Sequence, residues 1–419
     1  MLLLLLPQGL MCQSLAGTLE DRTFFSQALN EDVTFRVYLP PGYHTAATGT
    51  TYPVIYSLHG ASVGYEAYSL MYPIVDALWR TGTVRPFILV MPDGKAEPYL
   101  GSFYTNSELY GKYEDFIIQD LIPFVDEQYK SNSYRGMRAI MGHSMGSYGA
   151  FKLGLKNSGL FIGIAGHSGP LNIEMLEILI PQLKTENGNQ APFNWAPGPG
   201  KSLTNLAFSM AGAFSPNLSQ THKVDFPLDA EAEPITAVMD RWKPHNVSRM
   251  AGQLPGENPM GIYFDCGSRD DFQLQFQNRA MADSLRKYQI PHQYIEYFGD
   301  HNTGLPLRVP VALRFLGALF HEATGMDILL DSPVQYSLYP NPSEGEIRIT
   351  LSFSQSEEPA KVLVMDLMGR AIMSDSMKSP SHLIDLTGYE PGVYLISVDR
   401  RGHRLTKRVI LTGQSVRIP

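Results

Sequence analysis

Cysteine, net positive charge and long apolar runs are all scarce in this chain of 419 residues. Its two cysteines, Cys12 and Cys266, cannot supply a disulfide framework. Lysine and arginine total 33 against 41 acidic residues, so no basic field is available to gather phosphates. Nucleic acid is therefore excluded as an expected partner. Beyond the first residues, no stretch is long and apolar enough to cross a membrane.

The chain begins with MLLLLLPQGLMCQSLAG, an apolar run that is too short to span a bilayer and ends in small residues. This pattern is typical of a secretory signal peptide over residues 1–17. The basic start of such signals is missing, which leaves a start codon further upstream or a buried terminal segment as explanations. A lipoprotein site at Cys12 is a third alternative, but Met11 stands where that site requires a small residue. After cleavage only Cys266 would remain.

Residues 18–325 alternate short β-rich apolar runs with segments of helical periodicity. This alternation predicts an α/β domain whose mostly parallel sheet is covered on both faces. The predicted strands are DVTFRVYLP, YPVIYSL, PFILVMP, RAIMGH, FIGIAG, GIYFDCG and QYIEYFG. Helical periodicity is clearest in YEDFIIQDLIPFVDEQY and NRAMADSLRKYQ.

Two further regions depart from this alternation. Residues 171–258 carry helix-like pieces between Pro, Gly and Asn clusters, as expected of a helical insertion. Such an insertion either shapes a substrate pocket or covers exposed core, and the sequence favours neither. After a linker at 326–335, residues 336–419 hold short β-rich runs with turn signals, which predict a small all-β sandwich.

The pentapeptide GHSMG, with Ser144 at its centre, lies between the predicted strand RAIMGH and the predicted helix SYGAFKLGLK. A serine on a sharp strand-to-helix turn is the arrangement of a nucleophile elbow. Side chains at Gly142 and Gly146 would collide with the neighbouring strand and helix, so both positions require glycine. The turn also directs the positive end of the helix at a developing oxyanion.

A serine hydroxyl is a weak nucleophile and requires a base oriented by an acid. In this fold both follow the serine, the acid first, each just after a later strand. His301 follows the last predicted strand, and the acid is Asp270, which lies inside the loop after GIYFDCG, with Asp271 as the reserve or as a helix cap. Asp265 ends its strand, and His167 precedes the acid, which puts it on the wrong side of the fold for a base.

The loop after YPVIYSL continues as His59-Gly60-Ala61. One backbone N–H of this loop and one from the residue after the nucleophile form the oxyanion hole in this fold, which predicts the amides of Ala61 and Met145. Gly60 allows close approach of the backbone, and His59 orients the loop by hydrogen bonding. This chemistry requires no metal and no organic cofactor.

The motifs YSLHG, MPDG, GSFYTNS, GHSMGSYGA, DCGSRDDF and YFGDH occur in order. Through them residues 20–320 resemble the putative-esterase family of α/β-hydrolases, which includes feruloyl and acetylxylan esterases, S-formylglutathione hydrolase and mycolyltransferases. The resemblance implies the same site residues, namely Ser144 as nucleophile, Asp270 as acid, His301 as base, and Ala61 and Met145 as amide donors.

The resemblance also makes Tyr104 and Asn106, in a loop beside the family's active site, candidate substrate contacts, with His59 as a third. The insertion at 171–258 is longer than in compact members of the family, so pocket shape and acyl preference do not transfer.

The C-terminal region has a resemblance of its own. The motifs LYPNPSEGEIRI, VLVMDLMGR, IDLTGYEPGVYLISV and KRVIL make residues 336–412 similar to the C-terminal sorting domain of the type IX secretion system. This implies passage through the periplasm and across the outer membrane, then removal of the domain or attachment to the cell surface.

The sequence therefore predicts a secreted or surface-bound serine carboxylesterase, with acyl, feruloyl or acetyl esters of carbohydrates as expected substrates. One alternative is an acyltransferase to a carbohydrate acceptor, and another is a non-catalytic surface binding module on a hydrolase scaffold. The expected partners are a small-molecule or polysaccharide ester and the type IX secretion machinery.

Overall fold

The computed structural model divides the chain into two units, Met1–Gly325 and Met326–Pro419. It describes residues 15–196, 198, 200–254, 260–322, 336–339, 343, 345–351, 359–366, 370–379, 381–400 and 403–412. The expected signal peptide therefore lies outside the described residues except at positions 15–17, and the expected linker lies outside them entirely.

A mixed sheet of eight strands forms the centre of the first unit, as far as this unit is described. Its order is β1-β2-β4-β3-β7-β8-β9-β10. The strands are β1 (Thr18–Ser26), β2 (Glu31–Leu39), β3 (Val54–Leu58), β4 (Ile88–Pro92), β7 (Arg138–His143), β8 (Gly163–His167), β9 (Gly261–Gly267) and β10 (Gln293–Tyr297). A separate hairpin joins β5 (Asn106–Ser107) and β6 (Gly111–Lys112).

The six strands from β4 to β10 in this order run parallel. Strand β2 is antiparallel to both of its neighbours, β1 and β4. Strands β3, β4 and β8 are buried along their whole length, because helices cover both faces. Carboxyl ends of parallel strands meet at one edge of a sheet, so the loops after β3, β7, β9 and β10 converge there. The fold class predicted from the sequence is confirmed.

Helices cover both faces of this sheet. They are α1 (Met71–Arg80), α2 (Tyr113–Asp115), α3 (Ile122–Gln128), α4 (Met145–Lys156), α5 (Ile180–Glu186), α6 (Ser202–Phe214), α7 (Thr236–Trp242), α8 (Val247–Met250), α9 (Leu274–Lys287) and α10 (Leu305–Glu322). A π-helical segment, Phe116–Leu121, joins α2 to α3. The predicted helix YEDFIIQDLIPFVDEQY therefore forms as a continuous but irregular element.

Each face of the sheet has its own apolar core. Residues of α1 and α10 pack with Ile55, Met141 and Ala165 on one face. Residues of α4, α6 and α9 pack with Tyr56, Ile140 and Ile164 on the other. Neighbouring residues of a strand alternate between the two cores, as strand geometry requires.

The second unit contains two antiparallel sheets within its described residues. One has the order β11-β12-β15, with β11 (Tyr336–Tyr339), β12 (Glu346–Leu351) and β15 (Ser381–Asp385). The other has the order β14-β13-β16-β17, with β13 (Ala360–Met365), β14 (Ala371–Met377), β16 (Gly392–Arg400) and β17 (His403–Leu411). Alternate residues such as Ile347, Ile349, Val362 and Val364 build a shared core between the sheets.

Candidate active site

Ser144 lies at the turn between β7 and α4, where the sequence predicts it. Its backbone has φ 57° and ψ −120°, a conformation that a residue with a side chain rarely adopts and that costs about 1–3 kcal/mol. Two hydrogen bonds fix this turn: Ser144 N donates to His167 O at 2.8 Å, and Tyr148 N donates to Ser144 O at 3.1 Å. The strained backbone is therefore held by the adjacent strand and by the first turn of α4.

The glycines that flank Ser144 have no room for a side chain. A Cβ at Gly142 would lie 2.3 Å from the carbonyl group of Gly146, and one at Gly146 would lie 1.8 Å from Leu58 O. Both atoms belong to the backbone and cannot move aside cheaply. The predicted collision with the neighbouring strand and helix is confirmed.

A chain of hydrogen bonds connects Ser144 to His301 and Asp270. His301 Nε2 lies 3.0 Å from Ser144 Oγ, and His301 Nδ1 lies 2.7 Å from Asp270 Oδ2. Since a carboxylate only accepts, Nδ1 carries the proton and Nε2 accepts from the serine hydroxyl. The structure thus brings together the three residues that the sequence predicts as nucleophile, base and acid.

Asp270 is held in place from several sides. Its Oδ1 accepts from the backbone amides of Phe272 at 2.9 Å and Leu274 at 3.4 Å, as in the cap of a helix N-terminus. The thiol of Cys266 lies 3.7 Å from Oδ2, and burial, with the nearby Asp270, raises the pKa of that thiol, so it is a donor. Asp271 is exposed, and none of these contacts involves it.

His143 is a site residue that sequence reasoning missed. Its Nε2 donates to His301 O at 3.0 Å, and the two rings are 4.8 Å apart. Burial and the neighbouring His301 lower the pKa of His143 to about 3, so this imidazole is neutral. It fixes the backbone of the loop that carries the base. The sequence offered one signal for this residue, namely that His143 directly precedes Ser144 in the pentapeptide GHSMG.

The loop after β3 brings Gly60 and Ala61 next to Ser144. A Cβ on Gly60 would meet the Cβ of Ser144 at 3.4 Å, so the two backbones are close, and Ala61 lines the same cavity as Ser144. Met145 begins α4, so its amide has no partner within the helix. Ala61 therefore belongs to the loop that approaches Ser144, and Met145 follows Ser144 directly; the role of their amides as oxyanion donors stays a prediction.

His59 has both ring nitrogens engaged with the backbone. Nδ1 donates to Gly60 O at 2.8 Å, and Nε2 accepts from Gly94 N at 2.7 Å. The ring thereby connects the loop after β3 to the loop after β4. These contacts give His59 an orienting role, although the ring also lines the cavity.

Tyr104 and Asn106, which the sequence made candidate substrate contacts, do not line the cavity around Ser144. Tyr104 is fully buried behind the sheet edge, where its hydroxyl donates to His59 O at 3.1 Å. The Asn106 side chain accepts from the backbone amides of Glu114 and Asp115 and so caps α2. Neither side chain lines the cavity around Ser144. The expectation of substrate contacts is wrong for both, because their polar atoms serve the loop and the helix start.

Ser144 opens into a cavity of about 940 Å³, lined in part by the insertion. Trp195, Ser202, Asn205 and Leu206 contribute from that region. The same helices also cover core, since α6 is buried along nearly its whole length. The described residues of the insertion therefore do both things that the sequence left open: they line the cavity and they cover core.

His167 also lines this cavity, so the expectation that it lies on the wrong side of the fold is incorrect. It ends β8, directly opposite His143 on β7. Its Nδ1 is 2.9 Å from Asp265 Oδ1, whereas the base that reaches Ser144 is His301. Asp265 is therefore the acid of a second histidine pair and does not belong to the first.

The described residues show neither a metal centre nor a membrane-spanning helix. They contain no group of three or more His, Cys, Asp or Glu side chains that could hold a metal ion. They also include no helix with the length and apolar character needed to span a membrane.

A serine at a strained strand-to-helix turn, with a histidine and an acid on later loops of a mostly parallel sheet, defines the α/β-hydrolase class. Within that class, the family described as "Putative esterase" matches residues 26–304, and the chain belongs to this family. Residues 337–412 match the family described as "Secretion system C-terminal sorting domain".

Individual relatives agree with this assignment. The chain is 31% identical over 282 residues to Esterase Rv1288 of Mycobacterium tuberculosis, a match that covers 66% of this chain and 54% of that protein. It thus spans about half the length of this curated relative. An acetyl esterase of Caldicellulosiruptor saccharolyticus is 25% identical over 285 residues, which is 67% of this chain and 90% of that protein.

Among solved structures, a ferulic acid esterase superposes with a TM-score of 0.53 at 20% identity and covers 73% of this chain and 100% of its own. This likeness shows the shared fold.

Proposed function

We propose that this protein is a serine carboxylesterase that acts through Ser144, His301 and Asp270. The observation that carries the proposal is the continuous hydrogen-bond chain from Ser144 Oγ through His301 to Asp270 Oδ2, with steps of 3.0 Å and 2.7 Å. Membership of the esterase family supports the reaction class.

In the first half of the reaction, His301 Nε2 takes the proton of Ser144 Oγ as that oxygen attacks the ester carbonyl carbon. Asp270 keeps the proton of the imidazole on Nδ1 and stabilises the imidazolium that forms. The amides of Ala61 and Met145 donate to the oxyanion of the tetrahedral intermediate. His301 then protonates the leaving alcohol, and an acyl-enzyme remains on Ser144.

In the second half, water attacks the acyl-enzyme while His301 accepts one of its protons. Collapse of the second tetrahedral intermediate returns the proton to Ser144 Oγ and releases the carboxylic acid. The buried His143 keeps the loop of the base in register through its hydrogen bond to His301 O.

The substrates we propose are acyl, acetyl or feruloyl esters of carbohydrates. The sorting-domain match supports export of the chain through type IX secretion, with residues 1–17 as the signal peptide. An exported esterase meets substrates that are too large to be imported, and the cavity of about 940 Å³ is large enough for an acyl group together with part of a sugar.

Hydrolysis of p-nitrophenyl acetate by the full chain and by Ser144→Ala tests the reaction. We expect the variant to lose at least about 10⁴-fold in kcat, because the nucleophile is gone while the oxyanion donors stay. Equal rates in the two proteins would exclude Ser144. Product analysis with an added carbohydrate acceptor separates hydrolysis from acyl transfer, and release of acetate or ferulate from xylan identifies the ester.

A further inference from the structure

The cavity around Ser144 has an inner part and a rim with different side chains. Ser57 and Met141 line the inner part and are 1% exposed, whereas Glu97 and Ser202 line the rim and are exposed to solvent. An alcohol half that belongs to a polymer must stay connected to solvent, so it leaves the cavity across the rim. The rim side chains are therefore the ones that the alcohol half of the ester meets.

Trp195 lies at this rim, in the insertion, and is only partly buried. Its ring packs edge-to-face with Tyr99, with centroids 4.6 Å apart and planes at 82°, and with Phe208 at 6.3 Å and 63°. These contacts hold the indole at a fixed angle while part of it stays accessible. A ring held in this way offers a flat apolar surface, on which the C–H bonds of a sugar ring stack.

Glu97 supplies a charge to the same rim. Among the described residues that line the cavity, it is the one aspartate, glutamate, lysine or arginine. Its neighbour Lys95 is paired with Glu66 at 3.7 Å, and the described residues give the Glu97 carboxylate no salt bridge. A carboxylate only accepts hydrogen bonds and has room for several, so Glu97 suits the neighbouring hydroxyls of a sugar.

Backbone hydrogen bonds fix the loop that carries Glu97 relative to the nucleophile. Leu100 O accepts from Ser62 N at 2.8 Å, which joins this loop to the loop after β3. Leu100 N donates to Ser209 Oγ at 2.9 Å, which joins it to α6 of the insertion. The loop is thus connected both to the loop that approaches the nucleophile and to the insertion that carries Trp195. A group bound at this rim is therefore held in a defined position for the reaction.

We propose that Trp195 and Glu97 form the subsite for the alcohol half of the ester, and that this half is a six-membered sugar ring. The C–H face of the ring stacks on Trp195, and its hydroxyls donate to Glu97. This rests on the proposed ester hydrolysis by Ser144. Neither residue takes part in the chemistry, so both determine specificity. An alcohol with a ring but without hydroxyls keeps the stacking contact and loses the hydrogen bonds.

The test compares three acetate esters on the full-length protein. They are methyl acetate, tetrahydropyran-2-ylmethyl acetate and methyl 6-O-acetyl-β-D-glucopyranoside, of which the second adds a ring to the first and the third adds hydroxyls to that ring. The ratio of kcat/KM between the second and the first reports stacking, and the ratio between the third and the second reports the hydroxyls. We expect the hydroxyl ratio to be about 10-fold, the effect of one hydrogen bond to a charged group.

Each residue should control one of the two ratios. Glu97→Leu should abolish the hydroxyl preference, and Glu97→Gln, which keeps an acceptor oxygen, should retain part of it. Trp195→Ala should lower the stacking ratio by about 5-fold, as expected for the loss of one aromatic contact. Trp195→Phe, which keeps an aromatic ring, should retain most of that ratio.

Each ratio is measured between two esters on one preparation, so it does not depend on how much of a variant folds. Glu66→Leu is the matched control for Glu97→Leu, because Glu66 is also an exposed carboxylate of a neighbouring loop but does not line the cavity. Both of its ratios should equal those of the wild type.

A wild type that hydrolyses the three acetates with equal kcat/KM would overturn the sugar subsite and leave hydrolysis by Ser144 intact. So would a hydroxyl preference that survives in Glu97→Leu, or a stacking ratio that survives in Trp195→Ala. If the wild type hydrolyses none of the three acetates, nor p-nitrophenyl acetate, the proposed function fails and the subsite fails with it.

Discussion

The two histidine–aspartate pairs of this protein lie at the same edge of the sheet and differ in what surrounds each member. In the first pair, Asp270 is held by backbone amides and a thiol, and His301 reaches Ser144 at 3.0 Å. In the second pair, Asp265 is neutralised by Arg308, and the far nitrogen of His167 has no partner among the described residues.

This difference gives the two carboxylates different electrostatic surroundings. In the proposed reaction the imidazolium of His301 needs an unbalanced negative charge nearby. Asp270 provides one, because none of its hydrogen-bond partners among the described residues is a lysine or arginine. Asp265 shares its charge with a guanidinium at 3.0 Å and is less able to stabilise a second cation. The same two residue types therefore have different electrostatic surroundings, set by the third group that each carboxylate contacts.

The largest effect is expected at the acid of the first pair. Asp270→Asn should lower kcat for p-nitrophenyl acetate by about 10⁴-fold, because the amide cannot keep the imidazole in the required tautomer. Asp271→Asn is the matched control and should stay within about 2-fold, because its side chain is exposed and off the pathway. Steady-state kinetics of the two variants give the comparison, and a larger loss in Asp271→Asn would transfer the role to that residue.

The second pair should matter for stability in the same way as other buried ion pairs. Asp265→Asn leaves Arg308 without its carboxylate, so we expect a loss of about 3 kcal/mol in the free energy of unfolding. The pair of Asp21 and Arg36 is the control for burial: it forms two hydrogen bonds, of 2.6 and 2.7 Å, against one of 3.0 Å between Arg308 and Asp265, but it is more exposed. Its side chains are 44% and 21% exposed, against 0% and 16% for Asp265 and Arg308.

Asp21→Asn should cost less than about 1 kcal/mol. Urea denaturation measures both variants. Equal losses would show that burial gives the second pair no special role.

A smaller effect is expected from pH. The pKa of Asp265 is lowered in the folded protein, so between the folded and unfolded pKa values the unfolded chain binds more protons. The stability that this carboxylate contributes is therefore present above about pH 4 and is lost as the pH falls through the lowered value. The difference in unfolding free energy between the wild type and Asp265→Asn should shrink below about pH 4. A difference that stays constant or grows in acid contradicts this sign.

Local patterns allowed the nucleophile turn to be predicted, because its constraints lie within five residues. The glycines on either side of Ser144 face backbone atoms at distances that no side chain tolerates, so the pattern and the geometry carry the same information. The order of the later acid and histidine follows from strand connections, which also leave a trace in the sequence.

Other features depend on contacts between distant segments and leave no local trace. Tyr104 turns into the core to reach His59 O, 45 positions earlier in the chain, and the sequence around it does not reveal that direction. The pairing of His167 with Asp265 joins residues 98 positions apart. Strand β1 escaped prediction because most of its side chains are exposed at the edge of the sheet, so it lacks the apolar alternation of a half-buried strand.

Covalent trapping tests the central claim most directly. The full-length protein is treated with a fluorophosphonate probe, digested, and mapped by mass spectrometry. A single adduct on Ser144 is predicted, because its hydroxyl alone is hydrogen-bonded to His301 among the described cavity residues. Absence of an adduct, or an adduct on another serine of the cavity such as Ser62 or Ser202, would contradict the assignment of Ser144 as the nucleophile.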